Sequence, residues 1–268
     1  MHDRGTADVL GIPISAVDYD AAVERIVAAA RDRRPMAVSA LAVHGLMTGV
    51  LDPVQRYRLN RFDLLVPDGQ PVRWALRWLH GVRLPDRVYG PELMGRLCQR
   101  AALEDLPVFL FGGTSDQLAA LGSSLRRRYP GLTVAGTRPS QFRRVSPDEQ
   151  AAAVRAIVDS GAALTFVGLG CPRQEIWTFE QRGRLGMPIV AVGAAFTLLA
   201  GLRAGAPRAM QDAGLEWLYR LVQEPRRLWK RYLLLNPLYL GLLALQKARL
   251  LRLGPTVARP PAGEVRHG

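Results

Sequence analysis

Short apolar runs alternate with helix-patterned segments up to about residue 200, and that alternation leaves few folds open. The runs lie at residues 36–43, 62–66, 108–111, 132–135, 163–167 and 189–192. Each is almost continuously apolar, as in strands covered on both faces. Between them, residues 19–31, 52–60, 72–80, 90–103, 117–128, 147–159 and 173–183 read as helices. Several open on a start signal such as Asp52-Pro53, Gly90-Pro91 or Pro147. Residues 9–14 read as a first short strand or hairpin arm. Strands alternating with helices predict an α/β fold with a mostly parallel, doubly wound, Rossmann-like sheet. A chain of 268 residues that is 49% hydrophobic can bury such a core.

In open parallel sheets, ligands bind at the carboxyl ends of the strands. The stretch Leu64-Leu65-Val66-Pro67-Asp68-Gly69-Gln70-Pro71 puts a carboxylate there. A strand stops at Pro67, Asp-Gly turns, and Pro71 suits the first turn of a helix. Asp68 then either holds its own turn or faces a ligand. His44 closes the second predicted strand on the same edge, where a group titrating near neutrality is a rival base.

Three strands run into glycine turns: Gly112-Gly113, Gly168-Leu169-Gly170 and Gly193-Ala194. Glycine admits a ligand close to the backbone, and the next helix offers N–H groups to phosphate. Together they favour a nucleotide or nucleotide-sugar site. The dinucleotide fingerprint and the P-loop are both missing. Pro172-Arg173-Gln174-Glu175 opens a helix after one such turn. There Glu175 suits the helix dipole, and Gln174 could read a base or a sugar hydroxyl. No His, Cys and carboxylate cluster has metal-ligand spacing, so no structural metal is expected. A diphosphate would then be held by arginines and backbone amides.

The character changes after Gly201. Residues 203–252 hold ten basic side chains against three acids, a large part of the formal +13, interleaved with Leu, Trp and Tyr. They read as two or three helices broken at Pro225 and Pro237. Such a surface is either a solvated basic face or a dock for anionic lipid. The expected organisation is a catalytic domain at 1–201, a basic helical membrane-docking appendage at 202–254 and a disordered tail at 255–268. Cys98 and Cys171, on separate elements, favour thiols and a cytosolic setting. The N-terminal residues carry no apolar leader, and the longest apolar stretch is too short to span a bilayer.

These residues together resemble the WecG/TagA/CpsF glycosyltransferases, family 26, from about residue 8 to 239. The resemblance rests on Pro67-Asp68-Gly69, Arg87-Val88-Tyr89-Gly90, Phe111-Gly112-Gly113 and Tyr129-Pro130-Gly131-Leu132. It also rests on the run from Gly168 through Cys171-Pro172-Arg173-Gln174-Glu175, on Gly214-Leu215-Glu216-Trp217, and on Glu224-Pro225-Arg226-Arg227. It implies an inverting, metal-independent transfer from a UDP-sugar to a polyprenyl-diphosphate-linked glycan, without a cofactor, at the cytoplasmic face of the membrane. It implies Asp68 as base, with Arg87 and Gln174 on the substrate and Arg220, Arg227 and Arg231 closing over the diphosphate. The chain departs where Ala40-Leu41-Ala42 replaces a common Thr-x-Asn, with Ser39 and His44 nearby. It departs again at Thr197 and at Gly205-Ala206-Pro207. Those departures keep a second reading open, a non-catalytic nucleotide-binding module docked on anionic membrane. Nucleic acid is not expected as a partner; a homo-oligomer stays open.

Overall fold

Six parallel strands form the centre of the molecule in the order Leu64–Pro67, Met36–Leu41, Pro188–Ala191, Leu164–Gly168, Val108–Gly112 and Val134–Arg138. The computed structural model describes residues 1–253 and 258–268; the side chains of Arg227, Lys230 and Arg231 lie outside that description. Ahead of the sheet, β1 (Asp3–Val9) and β2 (Ile12–Val17) make an antiparallel hairpin. The sheet strands are β3 (Met36–Leu41), β4 (Leu64–Pro67), β5 (Val108–Gly112), β6 (Val134–Arg138), β7 (Leu164–Gly168) and β8 (Pro188–Ala191). The α/β, Rossmann-like class expected from the alternation is therefore the one adopted.

Helices cover both faces. Here α1 is Tyr19–Arg31, α2 Val43–Leu51, α3 Pro53–Leu59, α4 Gln70–His80, α5 Gly90–Leu103 and α6 Ser115–Arg128. Next come α7 (Pro147–Asp159), α8 (Arg173–Gln181) and α9 (Ala195–Leu199). Then follow α10 (Arg208–Asp212), α11 (Glu216–Gln223) and α12 (Pro225–Lys247). One apolar cluster joins residues of α1, α5 and α6 to the sheet. Another joins Phe109, Phe111 and Val167 to Ile157 of α7 and Trp177 of α8. A third gathers the hairpin, α2 and α4 around Tyr239 and Leu243 of α12.

Three local readings change. The first predicted strand contains a turn, because Leu10 (φ 54°) and Gly11 (φ 79°) take the left-handed conformation of a tight hairpin. Residues 43–51 are the helix α2, so the predicted second strand ends at Leu41 and His44 sits in a first helical turn. Gly45 and Gly49 hide this helix from a propensity reading. A Cβ at Gly45 would lie 2.6 Å from Leu41 Cδ1, and one at Gly49 2.7 Å from Leu59 Cδ1. Pro237 does not break α12. Its missing N–H costs up to about 3 kcal/mol. Burial of Tyr239 and Leu243 further along, at roughly 1.5–3 kcal/mol per large side chain, offsets that.

Helix α12 is fastened at several points. Tyr239 O–H donates to the Pro71 carbonyl at 3.1 Å, and Lys247 Nζ to the Trp78 carbonyl at 2.6 Å. Gln246 accepts from Leu10 N–H at 2.9 Å and donates to Asp8 Oδ2 at 2.7 Å, holding the hairpin turn. Residues 254–257 of the expected tail lie outside the described residues. Beyond them, Arg259 N–H reaches Pro53 O at 3.0 Å, Val265 N–H reaches Glu180 Oε1 at 2.6 Å, and His267 bridges to Arg144. Among the described residues, no helix is long and apolar enough to cross a membrane.

Candidate active site

Strand register decides what meets at the carboxyl edge. Leu41 pairs with Pro67, Ser39 with Ala191, Val167 with Ala191, and Gly112 with Gly168. Asp68 therefore emerges beside Ala42, on the same edge as the three glycine turns. Its N–H donates to the Leu41 carbonyl at 3.3 Å, and Val88 N–H donates to Pro67 O at 2.9 Å. Gly90 N–H, at the start of α5, donates to Asp68 Oδ1 at 2.9 Å. The other carboxylate oxygen, Oδ2, has no hydrogen bond among the described residues. Burial pushes the Asp68 carboxyl up to about 6; Arg87 opposes that, Glu216 adds to it, and Gly90 N–H and Arg220 oppose it. The result is a carboxylate poised close to neutrality.

A charged cluster ties α11 to this loop. Arg87 Nη1 donates to Glu216 Oε2 at 2.7 Å and Nη2 donates to Gln211 Oε1 at 2.8 Å. The guanidinium lies 4.2 Å over the Tyr89 ring, and Tyr89 O–H donates to Glu216 Oε1 at 3.2 Å. Arg220, one helical turn on from Glu216, approaches the same oxygen at 3.6 Å. Burial works against charge on Arg87, but Glu216 and Asp68 outweigh it and raise its pKa. Removing one member of such a buried pair typically costs about 3–5 kcal/mol.

Two cavities open on either side of Asp68. The smaller, about 100 Å³, lies under α11 and α12 and is walled by His44, Gly69, Arg87, Trp217, Tyr232, Leu235 and Asn236. The larger, about 440 Å³, lies over the sheet edge and is walled by Gly113, Gly168, Gly170, Gly193, Arg173 and Gln174, with Thr197 and Arg203. Ala42, Asp68, Tyr89 and Arg220 line both. The larger space has the glycine backbone and cations that a diphosphate requires. The smaller combines apolar side chains with the carboxylates of Asp68 and Glu216 and the His44 imidazole.

The sequence-derived residues divide accordingly. Asp68, Arg87, Arg220 and His44 meet around the small cavity, and Gly113, Gly168, Gln174, Glu175 and Gly193 around the large one. Gly112 does not line it: φ is +117°, and a Cβ would lie 2.6 Å from the Gly168 carbonyl carbon, so glycine is required there by chain packing. The side chains of Arg227 and Arg231 fall outside the described residues. Glu216, Tyr89, Trp217 and Asn236 were not singled out by role. Glu216, Tyr89 and Trp217 lie inside the quoted motifs, and Glu216 is also one of only three acids in a basic segment. Thr197 accepts a 2.9 Å hydrogen bond from Gln117 Nε2 at the cleft wall. Against known families, the model described as the glycosyl transferase WecG/TagA/CpsF family matches residues 7–253.

Proposed function

Because the chain belongs to the WecG/TagA/CpsF family of glycosyl transferases, we propose that it moves a hexose, of the N-acetylmannosamine type or related, from a UDP-sugar to a polyprenyl-diphosphate-linked glycan. The transfer inverts the anomeric centre, uses no metal, and takes place on the inner face of the plasma membrane during cell-surface polysaccharide synthesis. One observation carries this reading: Asp68 lines both cavities. A base there takes the proton of an acceptor hydroxyl entering from one side, as that oxygen attacks the anomeric carbon of the donor held on the other.

In this reading the UDP moiety lies over Gly113, Gly168 and Gly193, and the acceptor enters beneath α11 and α12. Asp68 takes the hydroxyl proton through Oδ2, since Oδ1 is held by Gly90. The acceptor oxygen attacks the anomeric carbon as the bond to the β-phosphate oxygen breaks. UDP leaves with that electron pair. Arg220 lines the donor cavity with Asp68, where its charge stabilises the departing diphosphate. His44 lines only the acceptor cavity, so it is the weaker base.

The test is transfer from a panel of UDP-sugars to a short-chain prenyl-diphosphate acceptor with a chelator present. Asp68→Asn is expected to cut turnover by about 10²–10⁴-fold, the usual worth of general base catalysis, and His44→Ala far less. Undiminished turnover in Asp68→Asn, or loss of activity on chelation, contradicts the proposal.

A further inference from the structure

Below the Gly168–Cys171 turn, Ser39, Gln174 and Glu175 form a buried polar group. Glu175 is 1% exposed, Gln174 4% and Ser39 0%. Ser39 O–H donates to Glu175 Oε1 at 3.0 Å, and Gln174 Nε2 donates to the same oxygen at 2.8 Å. An oxygen that already takes two hydrogens can only accept. With Glu175 ionised, Gln174 must therefore turn its NH₂ toward it. Its carbonyl oxygen then lies on the Gly193 side, 3.2 Å from the Cβ that residue would carry, with Nε2 3.5 Å from the same point. That oxygen is shielded from solvent and has no donor among the described residues. Buried acceptors left without a donor are rare, because their desolvation is not recovered.

Resting on the transferase reading above, we infer that Ser39 and Glu175 are positioning residues that lock Gln174 with its amide carbonyl at the donor cleft, where it accepts a hydrogen bond from an O–H of the bound UDP-sugar. The lock gives the cleft a polarity. A ligand hydroxyl is accepted there, and a ligand carbonyl or ether in that place is rejected. Ser39 thus serves the site from inside the sheet and does not stand in for a cleft-facing Thr or Asn. Gly193 keeps the approach to the carbonyl open.

The test uses the full chain and two variants. Glu175→Gln keeps a carbonyl acceptor in place, and Glu175→Met fills the space without one. Thermal melts confirm that both are folded. Two readouts follow: water exchange of the Gln174 side-chain amide by ¹⁵N NMR, and calorimetric titration with UDP and with a UDP-N-acetylhexosamine. Wild type and Glu175→Gln are expected to show a slowly exchanging amide and affinities within about threefold, and Glu175→Met a fast one with binding about tenfold weaker, the worth of one hydrogen bond. A loss seen with UDP alone assigns the ribose hydroxyls; one confined to the UDP-sugar assigns the hexose. If Glu175→Met keeps both protection and affinity, or Glu175→Gln loses as much as Glu175→Met, the inference fails. A wild type that binds neither ligand overturns the transferase reading and the ligand half of this inference, while amide exchange still decides the lock.

Discussion

An aspartate with a pKa near 6 in the fold and 3.8 outside it costs the protein stability at neutral pH. Its protonated form is the one the fold prefers, so stability falls as pH rises from 3.8 to about 6 and stays lowered above that. The shift corresponds to at most about 3 kcal/mol, and less because the side chain keeps some solvent contact. Asn imitates the neutral form. Asp68→Asn should therefore melt higher than wild type at pH 7 while losing turnover, and the gain in Tm should vanish below pH 3.8. A lower Tm at pH 7 would mean that the carboxylate is structural. The neighbours tune the same group in opposite directions. Glu216 raises the Asp68 pKa and Arg87 lowers it. The acid limb of the pH–rate profile should move down in Glu216→Gln and up in Arg87→Met, and parallel movement contradicts this electrostatic account. Asp68 was legible because strand, proline, Asp-Gly and a second proline fix its place locally. Its tuning was not, since Arg87 and Glu216 meet across 129 positions of chain.

Elements were legible where a segment's own preferences agree with its environment. Five of the sheet strands are almost wholly buried, and their apolar runs announce them; the edge strand β6 is only partly buried, and the apolar run at 132–135 is displaced from its observed span, Val134–Arg138. Helix α7 announces itself by a capping box, Ser146 with Glu149. Helix α2 was invisible because its two glycines lower helix propensity and act only through the side chains that press into them. The glycine turns read as ligand cradles, yet Gly112 serves the neighbouring turn. Gly112→Ala and Gly81→Ala separate the two uses of glycine. At Gly81 φ is +70° and no atom of the described residues lies within 4 Å of an added Cβ, so the cost is about 1–2 kcal/mol of backbone strain. At Gly112 the Cβ meets the Gly168 backbone at 2.6 Å, and neither strand can retreat without breaking the β5–β7 pairing. We expect Gly112→Ala to cost at least about 3 kcal/mol by denaturant melts, the upper range for strained positions, and equal costs would show that the contact yields.

At the scale of the whole molecule, the side of α11 and α12 away from the core is apolar and wet. Val222 is 75% exposed, Leu233 60%, Leu234 65% and Leu240 60%, while Leu228, Tyr239 and Leu243 of the same helix face inward. Trp74 and Trp78 of α4 are also about half exposed, and Lys247 joins that helix to α12. Exposed leucines and tryptophans within a segment this basic match an interfacial layer, where rings and aliphatic chains enter the headgroup boundary and arginines meet anionic phosphates. Tyr232, Leu235 and Asn236 of α12 line the cavity beside Asp68, so a lipid-borne acceptor reaching the base would arrive alongside this face. The chain should float with vesicles containing anionic lipid and not with neutral ones. Flotation should weaken from 0.1 M to 1 M salt as the screening length falls from about 10 Å to about 3 Å. Leu233→Glu with Leu234→Glu should abolish flotation and slow transfer to a long-chain lipid acceptor in vesicles, yet leave transfer to a water-soluble short-chain acceptor within about twofold, because surface changes far from packing rarely exceed 0.5 kcal/mol. Both acceptors failing together would mean that these leucines support the site itself. A chain that ignores vesicles and elutes as a dimer, which the same pair of substitutions converts to monomer, would give this face to a second copy.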